Sequence, residues 1–212
     1  MGDCARHRAN AIERLSYSRF PAQKSVMKSS EVDILIVPGY SNSGPAHWQT
    51  RWEQKLKTAR RVEQADFENP DKDAWIARIV EEVARSTRPV VFVAHSLGVV
   101  TVAHAAEKLA EVAPGKVVGA FLVAPADTRL STTPEAVRQT YDEIPTAPLP
   151  FPSMLIASRN DEWCSYEAAD DLAAAWGSLL IDAGEAGHIN AASGHGPWPE
   201  GLTRFAMLLS RL

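Results

Sequence analysis

Short apolar runs alternate along this chain with longer amphipathic stretches. "VDILIV" (Val32–Val37), "PVVFVA" (Pro89–Ala94), "KVVGAFLVAPA" (116–126), "SMLIAS" (Ser153–Ser158) and "SLLIDA" (178–183) read as strands, most of them apolar on both faces. "RRVEQADF" (60–67) reads as a weaker strand. Between them lie helical patterns. "PAHWQTRWEQKL" (45–56) places Pro45 in a first turn, where its missing N–H costs nothing. "PDKDAWIARIVEEVARS" (70–86) carries an apolar stripe at Trp75, Ile76, Ile79, Val80 and Val83, with Asp71 as the expected cap. "LGVVTVAHAAEKLAEV" (97–112), "SYEAADDLAAAWG" (165–177, ended by Gly177) and "GLTRFAMLLSRL" (201–212) complete the set. Such alternation predicts an α/β fold, a mainly parallel sheet of about six strands with helices on both faces. In such sheets ligands bind outside the carboxyl ends of the strands, so the residues just after each strand carry the chemistry.

The strand "VVFVA" runs into "HSLG" and a helix follows at once. This is the context of the nucleophile-elbow pattern G-x-S-x-G, with Ala94 in place of the first glycine and Ser96 as the serine. Small residues on both sides let strand and helix pack around a strained turn that lifts the hydroxyl out of the sheet. A serine capping a helix is the plainer alternative, but the full strand–turn–helix context favours a nucleophile. A serine needs a base, and the base needs an orienting acid, in the chain order Ser, Asp or Glu, His. Asp161, after the strand at Ser153–Ser158, is the expected acid, and Asp127, after the preceding strand, is its rival.

The base should follow the last strand. "GHINAASGHGPWPEG" (Gly187–Gly201) offers His188 and His195 in a segment that glycine and proline keep out of regular structure. His188 is favoured, because less chain separates it from the sheet. Ile189 can anchor the turn in apolar surroundings and Asn190 can pin it, whereas His195 lies between two glycines with nothing evident to hold its ring. His47 and His104 are read as helical, and His95, the variable residue of the elbow, as pointing away from the pocket. The two backbone donors for an oxyanion are expected at Leu97 and, in the loop "PGYSNSGPAHW" after the first strand, Tyr40.

Composition narrows the function further. The chain has 212 residues, 45% hydrophobic and 23% charged, enough for one domain with a sizeable core. A net charge of −4 argues against a nucleic-acid partner recognised by bulk charge. Two cysteines, Cys4 and Cys164, suit a reducing cytoplasm and form neither a disulfide scaffold nor a Cys-rich zinc site. No apolar run approaches the ~20 residues of a membrane span. Residues 1–30 are basic, with six Lys or Arg against two acidic residues, and lack the apolar core of a secretory signal. They read as a flexible extension, a transit-peptide-like leader or the product of a start codon upstream of Met27. The folded domain is then 31–212.

Three stretches together, "VPGYSNSGPAHWQTRWE", "VAHSLGVV" and "GHINAASGHGPWPEG", resemble the small α/β-hydrolases that include retinoblastoma-binding protein nine and short bacterial serine hydrolases. The resemblance covers roughly Val32 to Leu212. It implies a compact α/β-hydrolase fold without the first two strands of larger relatives. It also implies a Ser–Asp–His triad at Ser96, Asp161 and His188 and small esters as substrates; no cofactor is expected, and the absence of an H-E-x-x-H or clustered His/Asp pattern argues against metal hydrolysis. No feature carries over the protein partner for which that family is named. The alternative is a binding module on a hydrolase scaffold, since fold alone does not set function. "TRLSTTPEAVRQTYDEIPTAPLPFP" (Thr128–Pro152), the longest segment between strands, is the candidate lid.

Overall fold

A computed structural model describes residues 26–212. Most of the expected extension, residues 1–25, therefore lies outside the described part. The elements follow the predicted alternation: β1 (Asp33–Val37), α1 (Trp48–Lys55), β2 (Ala59–Arg61), α2 (Lys72–Arg85), β3 (Val90–Ser96), α3 (Leu97–Val112), β4 (Val117–Pro125), α4 (Glu135–Arg138), β5 (Ser153–Ala157), α5 (Tyr166–Trp176), β6 (Leu179–Asp182) and α6 (Pro199–Leu209). The six strands form one sheet in the order β2-β1-β3-β4-β5-β6. Every pairing is parallel. No helix of the described residues is long and apolar enough to cross a membrane.

The strands read as uniformly apolar because both faces are covered, and the period of two sorts their side chains into two cores. Leu35, Val37, Phe92, Ala94, Leu122 and Leu155 face one way, against α2, α3 and α5. Ile34, Ile36, Val91, Val93, Val123 and Ile156 face the other, against Trp48 and Trp52 of α1 and Phe205, Leu208 and Leu209 of α6. Met27 also packs against this second core.

Two boundaries differ from expectation. Pro45 lies in the turn before α1, and His47 caps the helix, its Nδ1 accepting from the N–H of Gln49 at 3.1 Å. A ring nitrogen free to accept there terminates the helix better than a proline embedded two residues earlier could. The second strand shrinks to three residues, because the polar stretch after Val62 offers nothing to bury at a sheet edge. Asp71 caps α2 as predicted, accepting from Ala74 N–H at 2.9 Å.

The chain runs from β1 to β2 on one side, then crosses to β3 on the other. The strand order thus reverses between β1 and β3. At such a switch point the two following loops diverge and leave a crevice at the strand ends. Ser96 and the loop after β1 meet there.

Candidate active site

Ser96 ends β3 with φ 56° and ψ −125°, a left-handed backbone that a residue with a side chain adopts only under constraint. The constraint is close packing. A Cβ on Gly98 would run into the carbonyl oxygens of Val37 and Pro38. A Cβ on Gly39 would lie 2.7 Å from Ser96 Cβ and 3.0 Å from Leu97 N. Two glycines, one on each side of the switch point, therefore let the β1 loop pass directly against the elbow. Tyr40 and Leu97, the expected backbone donors, both line the resulting cavity.

The Ser96 hydroxyl is within hydrogen-bond distance of His188 Nε2, at 2.9 Å. On the other side of the ring, Nδ1 lies 2.9 Å from each carboxylate oxygen of Asp161. A carboxylate only accepts, so Nδ1 carries the proton and Nε2 is left to accept from the serine. Asp161 Oδ1 also accepts the Trp163 N–H at 2.9 Å, which fixes the carboxylate. Asp127, the rival acid, is held instead by Arg129 through Nε at 2.8 Å and Nη2 at 3.1 Å. His195 does not join the cluster. Its Nδ1 meets Ser193 Oγ at 3.1 Å and its ring packs edge-on to Trp198. The ring is held after all, by neighbours two and three residues away, but away from Ser96.

The loop carrying His188 is strained and tied down. Gly187 and Ile189 have φ of 58° and 46°. Ile189 is fully buried in the second core. Asn160 Oδ1 accepts from Gly187 N–H at 2.7 Å, and Ser158 Oγ accepts from Ala186 N–H at 2.9 Å. The Trp48 indole N–H donates to Ile189 O at 2.8 Å. Asn190 pins the following turn as expected, its Oδ1 accepting from Ser193 N–H at 3.0 Å.

His95 does not point away. Its Nε2 is 2.9 Å from the carbonyl oxygen of His188, and the two rings lie 4.8 Å apart. His47 stands on its far side, ring centroids 4.9 Å apart, and borders the cavity rather than riding on a helix. The missed signal was the strand period. Ala94 faces the first core, so His95 must share a face with Val93, where α1 and the His188 loop sit. Burial, with Arg61 and His188 nearby, holds the His47 pKa down to about 3. Burial and the two neighbouring imidazoles hold that of His95 well below the ordinary value. Both rings are therefore neutral near pH 7. Gln49, which sequence patterning did not single out, is buried between the sheet ends. Its amide donates to Val37 O at 3.2 Å and Val93 O at 3.0 Å.

The cavity over Ser96 is about 410 Å³, within the range of small-molecule sites. Tyr40, Asn42 and Pro45 form one wall. Thr133, Pro134 and Val137, from the segment between β4 and β5, form another, with Trp163 beside them. Among the described residues, no Asp, Glu, Lys or Arg lines it.

Comparison with known proteins places the fold and the family. The chain is 36% identical to a protein of known structure described as a YdeN-like hydrolase from Pectobacterium atrosepticum, with a TM-score of 0.74 over 85% of this chain and 92% of that one. The ydeN gene product of B. subtilis is similar in fold, at 20% identity and TM-score 0.68 over 84% of this chain and 99% of the other. A Thermogutta terrifontis esterase solved with butyrate bound shares the fold at 15% identity and TM-score 0.59, over 88% and 86% of the two chains. A search of curated protein sequences finds no match. The serine hydrolase family model matches residues 34–207, from β1 into α6. The chain belongs to the serine hydrolase family.

Proposed function

We propose that this chain hydrolyses small neutral carboxylic esters through an acyl-enzyme on Ser96. The observation that carries the reading is the line from Asp161 through His188 to Ser96, 2.9 Å at each contact, at the floor of a cavity whose described lining holds no Asp, Glu, Lys or Arg. His188 takes the Ser96 proton as Oγ attacks the acyl carbonyl carbon. The negative oxygen that forms is held by the N–H groups of Leu97 and Tyr40, where Gly39 brings the two loops together. Asp161 keeps the imidazole in the Nδ1–H tautomer and stabilises its charged form. His188 then passes the proton to the departing alkoxide, and the carbon–oxygen bond of the ester breaks. Water, deprotonated by the same histidine, releases the acid and restores Ser96. Ester is preferred to amide, since an amine leaving group demands more of the acid step.

The lining supports the substrate class. A charged acyl or alcohol group would lose hydration without gaining a counter-ion, which is costly. The butyrate bound to the Thermogutta esterase makes short acyl chains the natural first choice for assay. The test is a fluorophosphonate probe followed by a panel of p-nitrophenyl esters of increasing chain length. Labelling confined to Ser96, with turnover highest on short chains, is expected. No labelling of folded protein would make it a binding module instead.

A further inference from the structure

His95 is buried, lies next to the nucleophile in sequence, and is bonded to the backbone of the base. A carbonyl oxygen only accepts, so His95 must donate through Nε2–H, which fixes its neutral tautomer. His188 projects from a loop, not from a helix or strand, and its neighbours Gly187 and Ile189 both have left-handed backbone. A β-branched residue in that conformation relaxes unless its surroundings prevent it. Beside the Gly187 and Ala186 N–H groups held by Asn160 and Ser158, two consecutive carbonyls of this turn, those of His188 and Ile189, are held from elsewhere in the fold. His95 takes the first and Trp48 Nε1 the second.

The two anchors differ in what they connect. Trp48 ties the loop to α1. His95 ties it to the residue covalently joined to Ser96. The path from nucleophile to base is then one peptide bond, one imidazole and one hydrogen bond. That is far shorter than the route through β4, β5 and β6. A short link of this kind ties the position of the base directly to that of the elbow. Burial and the adjacent His47 and His188 rings keep His95 uncharged, so it restrains the base without placing a positive charge beside it.

We infer that His95 is a positioning residue for the hydrolysis, holding the His188 carbonyl so that the imidazole stays in line between Ser96 and Asp161. The inference rests on the Ser96–His188 reading above. A residue that merely filled space would affect stability alone. One that sets the base geometry affects the chemical step with little change in substrate binding, because misplacement by about 1 Å costs up to about 100-fold in rate.

The experiment compares wild type with His95→Gln, His95→Asn and His95→Leu on p-nitrophenyl butyrate. Glutamine places an N–H donor near the position of Nε2, asparagine is too short to reach the carbonyl, and leucine has no donor. The Leu and Asn variants should lose about 10- to 100-fold in kcat with KM within about twofold, and Gln should recover most of the loss. The low-field proton resonance of the His188–Asp161 hydrogen bond should be sharp in wild type and the Gln variant, and broadened or lost in the other two. If leucine cannot be accommodated, the Asn–Gln contrast decides alone. Wild-type kcat in a folded Asn or Leu variant would overturn the inference. So would equal losses in all three with the resonance intact. If the wild type itself resists the fluorophosphonate probe, the Ser96 reading falls first, and with it any role for His95.

Discussion

At the residue scale, the site turns on which polar atoms can reach one another. Ser96→Ala removes the oxygen proposed to attack the ester. It should abolish probe labelling and lower ester turnover by orders of magnitude, with the fold intact, since alanine fits the space of serine. Asp161→Asn should cost on the order of 10⁴-fold in turnover, because an amide cannot hold the same tautomer. Asp127→Asn, which loses only the Arg129 pairing, should cost far less. Reversed results would move the acid to the loop after β4. His188→Ala should be nearly inactive on the same ester, while His195→Ala keeps most of its activity, and a dead His195 variant would overturn that choice.

The two neutral buried histidines also predict an acid sensitivity. Folded, His47 titrates near 3, whereas unfolded it titrates near the ordinary ~6.5. Below 6.5 the unfolded chain therefore binds a proton that the folded chain refuses, and stability falls as pH falls toward 3. His95 acts in the same direction. Between pH 7 and 5.5 His47 should remove about 1 kcal/mol of unfolding free energy, and His95 adds to the loss in the same direction. Urea titrations at the two pH values measure the sum. A His95→Gln variant should show a smaller difference, and an unchanged difference would mean that His95 takes up its proton equally in the folded and unfolded chain.

At the scale of elements, the site depends on β1 and β3 ending side by side. Val37 pairs with Ala94, and two residues further on the chains nearly touch at Gly39 and Ser96. Gly98→Ala drives a methyl into the backbone carbonyls after β1, which have no room to retreat inside a packed sheet end. About 1–3 kcal/mol of stability should be lost. Activity should drop further than stability, since the displaced loop carries Tyr40. Thermal melts beside probe-labelling rates would separate the two effects, and a fully active Gly98→Ala protein would show the contact to be soft. The helix α1 has two roles here. Its tryptophans fill the second core, and its N-terminal end supplies His47, Trp48 and Gln49 to the site.

At the scale of the whole molecule, the sheet with its two cores is built from Val32 onward, and Met27 is the first described residue packed against it. The basic polar segment before it stands outside the strand–helix alternation. A chain beginning at Met27 should therefore keep the melting temperature and ester turnover of the full-length protein. A drop of several degrees would show that residues 1–26 contribute to the fold.

The sequence by itself determined the α/β class, the strands buried on both faces and the serine elbow. It did so because these are local: period, small residues and strand-to-helix junctions are written in neighbouring positions. It also narrowed the acid and base to two residues each by chain order. The tertiary structure alone decided what meets across distance. It set the strand order that makes β1 and β3 neighbours, turned Asp127 toward Arg129, and gave His195 to Trp198. It also brought His95 and Trp48 onto consecutive carbonyls of the His188 loop. Hydrogen bonds between residues some 90 and 140 positions apart leave no periodic trace in a chain. They follow from how the sheet closes and from the need of each buried polar group for a partner.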